Sequence, residues 1–551
     1  MALSPIGADE APVWVFFKDK PQSGPSLGWP APQHLQADSA LDAPVNSAYI
    51  DAVAGTGARI RTVSRWFNAV SADVSSPKQL SRLRRLEGVR EVRAVGAWRR
   101  SSPVPPRPVP APRSAQAPGD YGEAYAQIAS MEVHTLHSRG VRGEGVRIGF
   151  LDSGYNWRDH VAFTNIRVLA ERDFINGDED VSDEIDEPVT GFEQSSEQNL
   201  HGTRMLAISA GYDPGHFIGV APEAEYVLAK TEEIAREPRI EEDRWIAGVE
   251  WLDSLGVQVV NSSLGYTEFD DSSTYRYEDL DGATALTTIA AELMVERGIV
   301  VVASAGNEAL LPWHYVTPPA DGIGVITVGA VHPVALSLGV FSSRGPTADG
   351  RIKPDVVAPG VSVFSVSGRA ASEGARNIFT LRDYQRGENG TSFASAFVAG
   401  AAALLLQVHP DWSPRQVAEA LRATAQDLGP AGPDTAYGWG MVNMAQAIGF
   451  IAPTVSMAGH PFPNPVLARH GSVIHFPLEL AEAELVEITI FDIGGVRVGG
   501  LEAKPLWPGR YLGGSAPMWA IPGDLAAGVY YYQISADSFR RLGKLAVLRA
   551  R

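Results

Sequence analysis

A polar turn that runs straight into an apolar segment, Asn389-Gly-Thr-Ser-Phe-Ala-Ser-Ala-Phe-Val-Ala-Gly400, constrains this chain more than any other stretch. Ser392 stands at the joint. Gly390 allows a sharp bend before it. The segment from about Ser392 to Val408 is apolar all round, so as a helix it belongs in an interior rather than on a surface. Its apolar run is shorter than the roughly 20 residues of a membrane span. A buried helix of this kind holds its first serine rigidly at its mouth. The free N–H groups and the positive dipole end of the helix then face any negative charge that develops there. A serine capping an ordinary core helix would read the same way, so the stretch needs partners.

Two upstream segments supply them. Arg147-Ile-Gly-Phe-Leu-Asp152 reads as a buried strand ending in a carboxylate, with a turn at Ser153-Gly154. Asn199-Leu-His201-Gly-Thr203 leads into a segment, Arg204 to Ala210, with helical character. Asp152, His201 and Ser392, in that chain order and each at the end of a regular element, form a candidate catalytic triad. On these three blocks the chain resembles the subtilisin-like serine proteases (subtilases) from about Tyr121 to Phe450. Further matching blocks are Gly219-Val-Ala-Pro222, Val260-Asn-Ser-Ser-Leu-Gly265, Ala303-Ser-Ala-Gly-Asn307, Phe341-Ser-Ser-Arg-Gly-Pro346 and Asp349-Gly-Arg-Ile-Lys-Pro-Asp-Val-Val-Ala-Pro-Gly360. Two positions depart from the family pattern. Arg204 stands where the family usually has histidine, and Ala396, four residues after the serine, stands where it usually has proline.

The resemblance implies an α/β fold, a subtilisin-like parallel sheet flanked by helices on both faces. The residues agree with it. Short apolar runs at Gly145 to Leu151, Tyr226 to Lys230, Val257 to Asn261, Ile299 to Ser304 and Gly324 to Val331 alternate with helical segments such as Arg244 to Leu255 and Thr284 to Arg297. Sites in such sheets form at the carboxyl ends of strands, and Asp152, Asn261 and Asn307 all follow predicted strands. In the family's chemistry His201 takes the proton of Ser392 and returns it to the leaving amine, while Asp152 holds the imidazole. The Asn307 amide donates to the oxyanion beside the Ser392 N–H. Ser263, Leu264 and Gly265 form the substrate edge, where an extended peptide pairs with exposed backbone. No cofactor is required for that chemistry.

At 551 residues the chain is too long for one core, and about three domains of roughly 150 residues are expected. Hydrophobic content of 45% and a formal net charge of −18 describe a soluble protein that does not bind nucleic acid through a basic groove. Cysteine is absent, which excludes disulfides and thiolate metal sites. The run Glu171 to Glu187 carries nine acids and one arginine. Hard oxygen ligands suit a structural calcium ion, which the family often binds, but the spacing matches no recognised calcium loop and an acidic run is usually a solvated face.

Residues 1–100 read as a small α+β domain that resembles the subtilase propeptide in position and layout; an unrelated accessory domain is the alternative. Val13-Trp-Val-Phe-Phe17 is an expected strand, and the stretch around Val45 to Val53 an expected helix. Arg59 to Val74 reads as one long alternating strand, Ser76-Pro77 as a helix start, and Val89 to Trp98 as a last strand. Between Arg59 and Arg100 eleven basic side chains face three acidic ones, a net of +8, which leaves −26 for the rest of the chain. A basic module ahead of an acidic body favours their association. Residues 101–120, with seven prolines, form an extended linker open to proteolytic processing. The catalytic domain is expected over 121–450, followed by a short linker at 451–460.

From 461 to 551 short β-like runs return at Val473 to Leu478, Val486 to Asp492, Gly528 to Ile534 and Leu542 to Leu548, which indicates a small all-β immunoglobulin-like sandwich. Phe462-Pro-Asn-Pro465, Ile490-Phe-Asp-Ile-Gly-Gly495, Ala527-Gly-Val-Tyr530 and Gly543-Lys-Leu-Ala-Val-Leu548 resemble the C-terminal sorting domain of type 9 secretion. That resemblance implies a bacterial protein that meets the secretion machinery, and related immunoglobulin-like modules that end other bacterial surface enzymes without that role are the alternative. Either implies a secreted or cell-surface protein, although Met1 to Glu10 has neither the basic nor the apolar region of a signal peptide. The expected partners are protein or peptide substrates and the chain's own propeptide. The expected function is an exported serine endopeptidase made as a self-processing zymogen. A catalytically silent surface adhesion protein on the same fold is the alternative.

Overall fold

The computed structural model describes residues 11–20, 42–94, 120–158, 160–182, 198–234, 238–269, 274–368, 383–450, 456–468, 472–481, 484–506, 509–511 and 516–549. Its centre is a seven-stranded sheet built from β5 (Arg147–Asp152), β6 (Arg167–Asp173), β7 (Glu225–Lys230), β8 (Val259–Ser262), β9 (Val300–Ser304), β10 (Ile326–Val331) and β11 (Val356–Pro359), in the order β11-β10-β9-β8-β5-β7-β6. Every pairing in it is parallel. Alternate residues of each strand serve opposite faces, because side chains in a strand repeat every second residue. Phe150, Tyr226, Leu228, Val300 and Val302 pack with helix α3 (Leu200–Ala210) and helix α6 (Thr391–Val408). Leu151, Val227, Ala229, Val301 and Ala303 pack instead with helix α4 (Ile240–Ser254) and helix α5 (Leu286–Glu296). Both faces are therefore covered, which is why these strands read as unbroken apolar runs.

The chain enters the sheet at β5, fills the β7 and β6 side, and then crosses to β8 on the other side. The order reverses at β5, and the crevice at such a reversal opens at the carboxyl ends of the strands. Helix α6 runs through the middle of one layer. By length and composition it is apolar enough to cross a membrane, yet 89% of it is buried within the protein. Each of its buried Leu and Phe side chains contributes roughly 1.5–3 kcal/mol, so the position of Ser392 is strongly fixed.

The N-terminal module is a four-stranded antiparallel sheet of β1 (Ala11–Phe17), β2 (Arg59–Ser64), β3 (Ala69–Val74) and β4 (Val89–Ala94), in the order β2-β3-β1-β4. Helices α1 (Ser47–Ala54) and α2 (Pro77–Leu83) belong to it; Ser76 caps α2 as expected, accepting from Gln79 N. The expected single strand from Arg59 to Val74 is instead a hairpin. Its turn closes with Asn68 N donating to Arg65 O, and Asn68 has a left-handed φ of 48°, which asparagine tolerates. Within β1, Val13, Val15 and Phe17 face the module's own core, whereas Trp14 and Phe16 join Trp66 against α4 and α5. The strand is apolar on both faces because both faces are buried. Residues 95–119, which include the end of the expected last strand and the proline-rich linker, lie outside the described residues.

The C-terminal region is all-β. A five-stranded sheet has the order β14-β18-β17-β15-β16, from β14 (Val466–Ala468), β15 (Glu484–Phe491), β16 (Arg497–Leu506), β17 (Gly528–Ser535) and β18 (Arg540–Arg549). Only the β14–β18 pairing in it is parallel. Its core, with Ile474, Phe476, Ile488, Trp519, Tyr532 and Leu545, is separate from those of the other domains. The expected strand from Val473 to Leu478 divides into Val473–His475 and Leu478–Leu480, which pair with different partners. Met457–Ala458 pairs with Leu478 and Glu479, so these two residues of the expected 451–460 linker belong to the sandwich.

Candidate active site

Asp152 is the last residue of β5 and is fully buried. His201 is the second residue of α3, and its Nδ1 lies 2.7 Å from Asp152 Oδ1, which also accepts from Ser153 N at 2.8 Å. This approach requires the glycine that follows the histidine. A Cβ at Gly202 would stand 2.3 Å from Gly154 O and 3.0 Å from Asp152 Cβ, so α3 could not close on the strand end with any other residue there. Burial disfavours a charged ring at His201, but the Asp152 carboxylate, through its charge and its hydrogen bond, holds the imidazole above its usual range. Arg204 opposes that rise and Glu388 adds to it.

Ser392 is the second residue of α6, so its N–H belongs to the first turn, where helix donors have no partner within the helix. The helix starts one residue earlier than its sequence suggests. Gly390 is extended, with φ 162° and ψ 144°, rather than sharply bent, and a Cβ there would make only ordinary contacts. The Ser392 hydroxyl donates to Ser263 O at 3.2 Å, and among the described residues no hydrogen bond joins it to His201. Catalytic hydrogen bonds are often loose without substrate and tighten only around it.

Asn307 stands exposed just beyond β9. Its Oδ1 accepts from Thr391 N at 3.0 Å and from the Thr391 hydroxyl at 3.1 Å. A backbone N–H needs an acceptor, so the carbonyl end of the Asn307 amide must face Thr391 and its NH₂ must face away from it. Thr391 Oγ1 in turn accepts from Gly306 N at 3.1 Å. The sequence reading missed Thr391 because a hydroxyl beside a nucleophilic serine reads as turn chemistry; only the fold brings it to Asn307.

Ser263, Leu264 and Gly265 leave the end of β8 without joining a further ladder. The Ser263 side chain is buried, accepting from Asn261 Nδ2 at 2.8 Å and donating to Ser392 O at 3.2 Å, so it braces the serine turn while its carbonyl faces the Ser392 hydroxyl. Leu264 and Gly265 are half-buried. At Gly265 a Cβ would lie 2.1 Å from Thr317 Oγ1, so this edge also depends on glycine.

The acidic run weighed as a calcium position has two of its carboxylates paired within the chain. Glu171 accepts from Arg158 at 2.7 Å and from Trp157 at 3.1 Å, and Asp173 is paired with the buried Lys230 at 2.9 Å. These carboxylates are engaged by the chain's own cations, and among the described residues no group of three His, Asp or Glu side chains has a metal-binding arrangement. Residues 183–187 of the acidic run lie outside the described residues.

A carboxylate–histidine pair at the switch point of a parallel sheet, with a serine at the mouth of a buried helix, defines the serine-hydrolase class. The chain belongs to the subtilase family, whose model matches residues 143–440, and it carries the Bacteroidota propeptide domain of peptidase S8 at residues 12–105. It is 31% identical to subtilisin of Bacillus pumilus over 324 residues, 58% of this chain and 97% of that protein. The same identity over the same length relates it to subtilisin E of Bacillus subtilis, covering 70% of that protein. Among solved structures it is similar to fervidolysin of Fervidobacterium pennivorans, a keratinolytic enzyme related to subtilisin, with a TM-score of 0.56, 18% identity and coverage of 99% of this chain and 79% of that one. The protein is a subtilisin-like serine endopeptidase.

Proposed function

We propose that Asp152, His201 and Ser392 act as one triad in an exported endopeptidase that processes its own N-terminal module. His201 Nε2 takes the hydroxyl proton as Ser392 Oγ attacks the scissile carbonyl, and later gives it to the leaving amine. Asp152 holds the Nδ1–H tautomer and stabilises the imidazolium. The Asn307 NH₂ and the Ser392 N–H receive the oxyanion. Substrate backbone lies extended along Ser263 to Gly265. The observation that carries this reading is the 2.7 Å contact between His201 Nδ1 and a fully buried Asp152. It orients the ring at the same carboxyl-end crevice that receives the first turn of α6.

The N-terminal module acts as inhibitor and folding template, a reading supported by the burial of Trp14, Phe16 and Trp66 against α4 and α5. A sheet built from distant parallel pairings folds slowly, and a bound template lowers that barrier. The C-terminal sandwich serves export or surface attachment rather than hydrolysis, as its separate core suggests. Hydrolysis of casein by the purified protein, abolished by a serine-directed phosphonate and absent from Ser392→Ala, is the expected result. Casein hydrolysis surviving in Ser392→Ala would remove the triad, and none in the wild type would favour the silent adhesion protein.

A further inference from the structure

Arg204 lies three residues beyond His201 on α3, and its guanidinium is engaged at every edge. Nε donates to Ser367 O at 3.0 Å, Nη1 to Glu388 Oε2 at 3.1 Å, and Nη2 to Gln385 Oε1 at 3.0 Å. The Ser365 hydroxyl donates in return to Arg204 O at 3.2 Å. These partners lie on or beside the antiparallel pair of β12 (Val363–Val366) and β13 (Tyr384–Glu388). Glu388 ends the strand that leads, through Asn389 and Gly390, into the serine turn. The fork thus ties the histidine helix to the strand that delivers the nucleophile.

Among the described residues, three charged groups act on the His201 ring: Asp152 from β5, Arg204 from its own helix and Glu388 from β13. Asp152 and Glu388 favour the imidazolium, and Arg204 disfavours it. The side chains of Arg204 and Glu388 are only 18% and 17% exposed, so solvent screens them weakly. A planar guanidinium holding three acceptors on or beside one pair of strands fixes geometry as well as charge, which a histidine or lysine at this position could not do.

We propose that Arg204, paired with Glu388, is a positioning residue for the catalytic histidine. It holds α3 in register with the nucleophile strand and pairs a second carboxylate that lies near the imidazole. The inference rests on the reading of His201 as general base, and it concerns a position at which this chain departs from its family's usual histidine. The charge argument gives opposite signs for the two partners. In Arg204→Gln the Glu388 carboxylate is unopposed, His201 keeps its proton to higher pH, and activity appears only at higher pH. In Glu388→Gln the guanidinium is unopposed and the acid limb moves down. Arg204→Lys keeps the charge but not the three-way fork.

The experiment is the pH profile of kcat/KM on a chromogenic peptide anilide, measured with the processed enzyme and each variant. The acid limb should move up in Arg204→Gln and down in Glu388→Gln, and stay near the wild-type position in Arg204→Lys. In Arg204→Lys kcat should fall about tenfold with KM within about twofold, because loosened alignment affects the reacting geometry more than binding. If Arg204→Gln does not fold, Glu388→Gln and Arg204→Lys carry the test. Limbs that coincide with the wild type, or that move the same way in both glutamine variants, overturn the proposal. Retained hydrolysis by His201→Ala would remove instead the triad reading beneath it, so the two failures are distinguishable.

Discussion

Replacing Glu250 by alanine should release the enzyme from its own N-terminal module while leaving its chemistry intact. Glu250 sits on the outer side of α4, and its carboxylate gathers several donors from the module. Ser64 Oγ donates at 2.6 Å, Arg65 N at 3.1 Å and Trp66 N at 3.4 Å, while Arg65 Nε lies 3.5 Å away as an ion pair. Ser64, Trp66 and Glu250 are all buried. Alanine leaves these donors without an acceptor, at roughly 1–3 kcal/mol for each buried group left unpaired. Two reductions apply. The Trp66 bond is long, and burial holds the Glu250 carboxyl above its usual range, so desolvation already offsets part of what the contact contributes. A net loss of about 2–4 kcal/mol remains, equivalent to a roughly 30- to 700-fold rise in the inhibition constant of the module. The assay titrates processed wild-type and Glu250→Ala enzyme with the module added back, reading hydrolysis of a peptide anilide. kcat and KM should be unchanged without the module. Glu250→Gln, which keeps one acceptor oxygen, should fall between the two. An inhibition constant for Glu250→Ala within threefold of wild type would show that this interface does not hold the module.

Asn307→Ala should lower kcat about 10²–10³-fold with KM largely spared, since the oxyanion exists only in the transition state; that magnitude is the one known for subtilisin itself rather than one worked from this geometry. Thr391→Val removes one of the two bonds that aim the Asn307 amide and should cost a further-removed 0.5–1.5 kcal/mol or so, a fall of about two- to tenfold in kcat; a loss as large as that of Asn307→Ala would mean that Thr391 does more than aim it. Ser392→Ala should keep the chain at full length, whereas the wild type should be cut between about Trp98 and Tyr121, and intact mass with N-terminal sequencing would read identical cuts in both as the work of another protease. Salt should slow association of the module more than it hastens dissociation, because the Arg61–Asp243 pair and the Glu250 contacts are buried; stopped-flow mixing at low and high salt checks this. Truncation after Phe450 should leave peptidase activity and remove export or attachment, and loss of the folded catalytic domain would make the sandwich structural instead.

How much of this was legible in the sequence follows from where the specifying interactions lie. The central strands were visible because burial on both faces leaves them almost wholly apolar, and the candidate site residues Asp152, Ser263 and Asn307 stand at or just beyond the ends of β5, β8 and β9. The edge strand β6 was not visible. Its exposed and half-exposed residues alternate irregularly, and it carries Glu171 and Asp173, which read as part of an acidic loop until Arg158 and Lys230 are seen to engage them. The hairpin between β2 and β3 was hidden for a related reason: its turn, Arg65 to Asn68, holds no glycine or proline, and the alternation runs on through it.

The docking of the module shows the limit most clearly. A basic segment facing an acidic body predicts attraction but not its address. In α4 the acids Glu241, Glu242 and Asp243 occupy the first turn, where a helix dipole favours negative charge in any protein. Nothing within that helix says that Asp243 meets Arg61 and Ser71 from a segment some 170–180 residues away, or that Glu250 receives Ser64 and Arg65. One local signal did exist. In a small domain with one layer of helices, a strand reading Val13-Trp-Val-Phe-Phe17 has an apolar side left over once its own core is filled. Trp14 and Phe16 had to be covered by something, and the face that covers them carries Asp243 and Glu250 along with its apolar residues. The pattern of β1 therefore announces an interface, while the choice of α4 as the other side depends on packing that no single segment contains.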